Sequence, residues 1–123
     1  MNIKMITGTE EELKHYIERS DDEINYYMYQ MCDVLYFNIL VKVSMLHKKY
    51  AINKKISHQE RYNLALLKEC EYNEMVKDIY LQYENILKFN NPCILKIKDL
   101  LSTTKRNINY RTYNSRMYLI KNA

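Results

Sequence analysis

The chain has 123 residues, with one glycine, one proline, three cysteines, no tryptophan and a formal charge of +4. That length suits one compact core, because a domain of this size buries roughly two thirds of the surface its unfolded chain exposes. Gly8 and Pro92 stand alone against average usages of about 7% and about 5%, so the residues that tight β-turns and phosphate-cradling glycine loops require are missing and helices are expected instead. Thirteen tyrosines beside nineteen Lys and Arg suit an AT-rich coding bias, so their number alone does not point to tyrosine chemistry.

The N-terminal stretch "NIKMITGTEEELKHYIERS" opens with alternating Ile3, Lys4 and Met5, which predicts a short strand or an extended arm. Thr9 and Glu12 then have the spacing of a capping box, and a first helix is expected over about 10–19. Ser20 and Glu23 repeat the device, with Asp21, Asp22 and Glu23 complementing the positive end of a helix dipole.

The second predicted helix, 21–49, meets no breaker. Ile24, Met28, Met31, Leu35, Ile39 and Leu46 form one stripe at helical spacing. The opposite side is apolar too, with Tyr26, Tyr29, Phe37 and Leu40 around Asp33. A helix apolar nearly all round is expected at the centre of a bundle, or half covered with the remainder in an interface. Its charged and amide residues, Gln30, Asp33, Asn38 and Lys42, make it a poor membrane span.

Periodicity lapses at "AINKK", 51–55, and Ser57 with Glu60 starts a third helix, predicted to run over 58–88. Tyr72, Met75, Val76, Ile79, Tyr80, Tyr83, Ile86 and Leu87 share one face of it, whereas Leu66, Leu67 and Cys70 point away and call for a second packing partner. "NNP" at 90–92 ends that helix and opens the next, because the residue before a proline is driven out of the α region. Further helices are expected over 93–103 and 105–121. In the last one, Tyr110, Tyr113, Met117 and Ile120 fall within an arc of about 80° and are expected to face the core. The whole reads as one all-α (or nearly so) domain, 1–123, a bundle of four to five helices around a long apolar central helix.

Few residues carry recognisable chemistry. Cys32, Cys70 and Cys93 are odd in number and far apart, and no secretory signal pattern precedes them, so a reducing, cytoplasmic setting is expected. No pair among them and His15, His47 and His58 has the spacing of a structural zinc site, and no cofactor motif is present. Cys70 and His58 lie over three helical turns apart, about 18 Å, too far for a nucleophile and its base. Asp33 among aromatics is the most unusual ionisable residue, since desolvation would raise its pKa, but a hydrogen bond accepted from Tyr26, Tyr29 or a Lys of another helix is the simpler reading. No histidine follows an arginine at HEPN-ribonuclease spacing, and the glycine-containing turn of a helix-turn-helix is missing. An enzyme is therefore not expected.

Charge is uneven, with six bases against one acid over 42–61 and seven against one over 93–123. Two functions follow as expectations. The first is protein–protein interaction, with another protein or a second copy as partner, through Tyr26, Tyr29, Phe37 and Leu40; a virus- or mobile-element-encoded regulator or inhibitor of a host protein would suit the size and composition. The second is a nucleic-acid-binding accessory protein using 42–61 and 105–121, with a basic patch of Lys48, Lys49, Lys54, Lys55, Lys105, Arg106, Arg111 and Arg116.

Overall fold

The computed structural model describes residues 21–90 and 92–122, with side chains from residue 29 onward. The expected arm and first helix, 10–19, lie outside the described residues, as do the side chains of Ile24, Tyr26 and Met28. Among the described residues there are four helices and no strand: α1 (Asp21–Lys49), α2 (His58–Gln82), a single turn α3 (Glu84–Leu87) and α4 (Pro92–Lys121). The all-α class is thus the observed one.

Local chemistry accounts for most of the boundaries. α1 ends on His47, Lys48 and Lys49, cations that suit the negative end of its dipole. Ser57 caps α2 from an extended backbone conformation, φ −68° and ψ 161°, its Oγ accepting the Glu60 backbone N–H at 3.1 Å. The helix expected to continue to residue 88 instead breaks at Tyr83, whose φ of −118° and ψ of 24° are not helical, and resumes for one turn. Pro92 then starts α4 at a position where its missing N–H is no loss.

The closest packing is between α2 and α4. Tyr72 of α2 is fully buried, and its hydroxyl donates to the Leu101 carbonyl of α4 at 2.6 Å. Further along, the Thr112 hydroxyl reaches the Ala65 carbonyl at 3.4 Å, and the His58 and Tyr118 rings meet with centroids 4.1 Å apart. As residue numbers rise in α2 they fall in α4, so the two helices run antiparallel. α1 runs parallel to α4, with Cys32 against Cys93 and the Lys96 ammonium 4.5 Å from the Tyr36 ring centroid. Its last turn is tied to α2 by an ion pair of 2.7 Å between Lys49 and Glu71.

The core is the seam among these three helices. α1 contributes Met31, Cys32, Leu35, Ile39, Val43 and Leu46; α2 contributes Tyr72 and Ile79; α3 adds Leu87; and α4 contributes Ile94, Ile97, Leu101 and Ile108. The stripe expected on α1 is therefore buried wherever its side chains are described. Among the described residues, however, α1 is not surrounded: it is covered on one side only, and Val34, Phe37, Leu40, Val41 and Met45 remain exposed on the other.

The C-terminal half of the chain differs more from expectation. No break separates 93–103 from 105–121; α4 is one helix of 30 residues, about 45 Å long. Its buried face, Ile94, Ile97, Leu101, Thr104, Ile108 and Thr112, advances in steps of three or four residues, the spacing with which helices lie side by side. That phase carries into the tail and turns Tyr110 and Tyr113, 65% and 58% exposed, to the outside with Ile120. Thr104 and Thr112 serve as core residues because their hydroxyls donate to the carbonyls of Leu100 and Ile108 in their own helix. Leu66, Leu67 and Cys70 do point away from the α2 core face and are exposed, with no second packing partner among the described residues.

Candidate functional site

α1 stops at Lys49, beside Glu71 of α2, while α2 and α4 run on past it as a pair ending at His58 and Tyr118. Beyond the end of α1 the seam has two walls rather than three, and the linker 51–57 crosses the open side. Two adjoining cavities occupy this space. The larger, about 610 Å³, is lined by Tyr50, Ile52, His58, Leu64, Ala65, Ile108, Asn114, Ser115 and Tyr118 together with Arg61, Lys68 and Arg111. The smaller, about 450 Å³, shares those three cations with Tyr50 and Ile52 and adds His47 and Ala51. Arg61, Lys68 and Arg111 line both and so stand where the two meet.

The positions follow from helical spacing. Arg61, Ala65 and Lys68 occupy the register that continues into the buried Tyr72 and Ile79 of α2, and Ile108, Arg111, Ser115 and Tyr118 continue the buried face of α4. The seam thus changes from hydrocarbon to cations along its length. Lys68 is only 8% exposed and lines both cavities. No Asp or Glu lines either cavity. The nearest ion pair spends its carboxylate elsewhere, on Lys49.

Electrostatics register the missing counter-charge. Burial, and then the Arg111 guanidinium, hold the Lys68 ammonium below its ordinary pKa. Burial together with Lys68 and Arg111 likewise holds His47 below the usual imidazole range. Glu71 is held low mainly by its hydrogen bond with Lys49, with the Tyr50 hydroxyl beside it.

The residues singled out in the sequence separate into three groups. Arg111 lines the cleft and is itself exposed. Lys49 is paired with Glu71, and Lys48, Lys54, Lys55, Lys105, Arg106 and Arg116 are exposed, with Arg106 donating to the Thr103 hydroxyl at 3.3 Å. Tyr29, Phe37 and Leu40 lie on the face of α1 left uncovered by the described residues, with Asp33, itself exposed. The two basic segments do approach each other, but they meet at the cleft through Arg61 and Arg111 rather than as one flat patch. Lys68, Arg61, His47 and His58 were not expected there. The available signal was a lysine in the buried register of α2, four residues before Tyr72.

Among the described residues no three His, Cys, Asp or Glu side chains are grouped to hold a metal ion, and no helix is long and apolar enough to cross a membrane. Comparison with protein-family models, curated proteins and solved structures returns no match.

Proposed function

We propose that this chain works as a protein-interaction module through the uncovered face of α1, with a second copy of the chain as the occupant. The observation that carries this reading is the apolar set Val34, Phe37, Leu40, Val41 and Met45 on the side of α1 opposite the core, Phe37 being 64% and Met45 65% exposed. Exposed apolar surface of this kind, with aromatic and methionine side chains, is typical of association surfaces.

Charge favours a copy of the same face. Two α1 helices packed antiparallel about a two-fold axis between residues 40 and 41 put residue n opposite residue 81 − n. Leu40 then meets Val41, and Asp33 meets Lys48 at both ends of the contact, as an isologous interface requires. The span from 33 to 48 is about 22 Å of helix, a small contact of the kind found in weak, reversible association.

Light scattering over a concentration series tests this. The expected mass rises from that of the 15.0 kDa chain toward twice that value through the micromolar range. Phe37→Glu with Met45→Glu should hold the chain at monomer mass without loss of helical circular dichroism. Asp33→Lys should weaken the dimer and Lys48→Asp in the same chain restore it. A strict monomer at 200 µM, or a dimer indifferent to these changes, refutes the reading.

A further inference from the structure

Independently of the α1 face, we propose that the cleft beyond the end of α1 binds a phosphomonoester carried on a planar ring-bearing body, a 5′-mononucleotide being the simplest ligand of that chemistry. Three cations from two helices, Arg61 and Lys68 of α2 and Arg111 of α4, line the junction of the two cavities, with His47 in the smaller one and no carboxylate lining either. Of these only Lys68 is buried, Arg61, Arg111 and His47 being exposed, and a buried ammonium with no carboxylate lining its cavity is unfavourable unless an opposite charge joins it. A phosphate monoester brings about −1.5 to −2 at neutral pH, whereas a carboxylate would answer only one of the three. Guanidinium forks from facing helices also suit a group that offers oxygens on several sides.

The organic part of the ligand has its own seat. From the cation junction the larger cavity, about 610 Å³, extends over Leu64, Ala65 and Ile108 to the His58–Tyr118 ring pair, with Tyr50 and Ile52 on the linker side. That volume falls within the roughly 300–1,000 Å³ of small-molecule sites. The walls are mostly apolar and aromatic, and Asn114 and Ser115 supply the few groups able to pair with the polar edge of a ring. A phosphate alone would leave this chamber unused. An extended strand would need a groove open at both ends, lined by regularly spaced cations, and the exposed bases of α4 do not form one.

The depressed pKa values of Lys68 and His47 agree with this assignment, since a bound dianion would relieve both. Binding near neutral pH is then accompanied by proton uptake at His47. The groups facing it there are Lys68 and Arg111, both cationic.

Calorimetry on the full chain in a phosphate-free buffer provides the test, using adenosine 5′-monophosphate, uridine 5′-monophosphate, inorganic phosphate, the two unphosphorylated nucleosides and a single-stranded oligonucleotide without terminal phosphate. At least one mononucleotide should bind tenfold or more tighter than its nucleoside, inorganic phosphate and the oligonucleotide. Lys68→Met and Arg111→Gln should each weaken it tenfold or more, and Lys105→Gln with Arg106→Gln, on the exposed side of α4, by less than twofold. Lys68→Met keeps the hydrocarbon stem and removes a costly charge, so its melting temperature should not fall and lost binding would not reflect unfolding. No binding at 1 mM, equal binding of nucleotide and nucleoside, or equal binding of inorganic phosphate would overturn the proposal. Tighter binding of the oligonucleotide, or an equal loss with the Lys105 and Arg106 changes, would also overturn it and return the basic surface to strand binding.

Discussion

Replacing Tyr72 by Phe removes one oxygen from the most buried part of the α2–α4 seam and leaves the ring in place. The lost interaction is the 2.6 Å hydrogen bond to the Leu101 carbonyl. An intramolecular hydrogen bond contributes about 1 kcal/mol net, and the short distance and full burial put this one toward the upper part of the range. The Leu101 carbonyl keeps its place in the α4 ladder, so no acceptor is stranded. A destabilisation of about 1.5 kcal/mol is expected, which for a chain of this size lowers the melting temperature by roughly 6 °C. Urea titration should show a lower midpoint with an unchanged slope.

The same hydroxyl gives a second readout. Burial pushes the Tyr72 phenol up to about 12 from its ordinary value of 10.0, with the Thr104 hydroxyl acting in the other direction. Because the folded pKa is raised, the unfolded chain releases this proton first as pH climbs. Stability is therefore fully present below pH 10 and is lost between about 10 and 12, by on the order of 3 kcal/mol from this group. Absorbance near 295 nm should show Tyr72 ionising last in the wild type, with Tyr50 also held above its ordinary range by its hydrogen bond with Glu71, and Tyr72→Phe should remove the latest step while leaving that of Tyr50. A Tyr72→Phe chain as stable as the parent, with the late step intact, would refute the assignment of this hydroxyl as the link between α2 and α4.

Thiol reactivity should separate the three cysteines. Cys70 is exposed and should react quickly with a disulfide reagent, whereas burial pushes the Cys32 thiol up to about 12, with Cys93 contributing, so that Cys32 reacts only when the chain unfolds. Lys68→Met should raise the melting temperature of the unliganded protein by about 4–8 °C, corresponding to about 1–2 kcal/mol, because replacing a buried charge by a hydrocarbon of similar shape is often stabilising; a fall measured by circular dichroism would show that Lys68 has a compensating partner. His47 is held below its ordinary range, so the unfolded chain takes up a proton that the folded chain refuses. Stability should therefore decline as pH falls through about 6.5, and His47→Gln should flatten that decline in melting curves between pH 7.5 and 5.5.

The helical class, the start of α2 at Ser57 and the restart at Pro92 were all legible, because each rests on local chemistry within four or five residues. The inward stripe of α1 was legible for the same reason, since its period is uninterrupted from Met31 to Leu46. The tail was not. Dividing 93–121 at Thr103 reset the helical phase, and hydrophobicity then assigned Tyr110, Tyr113 and Ile120 to the core. The continuous helix keeps the phase of Ile94, Ile97 and Leu101 and fills it with threonines whose hydroxyls are satisfied within their own helix. The cleft was hidden for a different reason. It exists because α1 ends beside Glu71, a fact of tertiary length matching, and its central cation sits at a register position normally occupied by hydrocarbon. A count of basic residues along the chain selects the exposed lysines at 48, 49, 54 and 55 instead.

The break at Tyr83 also shapes how the chain folds. Tyr72 and Leu101 are 29 positions apart, and the intervening turn, where Tyr83 donates its N–H to Ile79 at 2.9 Å and the α3 turn follows, reverses the chain within a few residues. Loop closure is therefore short, and the α2–α4 hairpin can form early around Tyr72 from near neighbours, the situation in which helical proteins fold fastest. α1 lies parallel to α4, so its contacts with that helix join residues about 60 positions apart and form later. Substitutions at Tyr72 or Ile97 should then slow folding, and substitutions at Ile39 should mainly speed unfolding. The end of α1 that leaves the cleft open thus belongs to the last helix to dock.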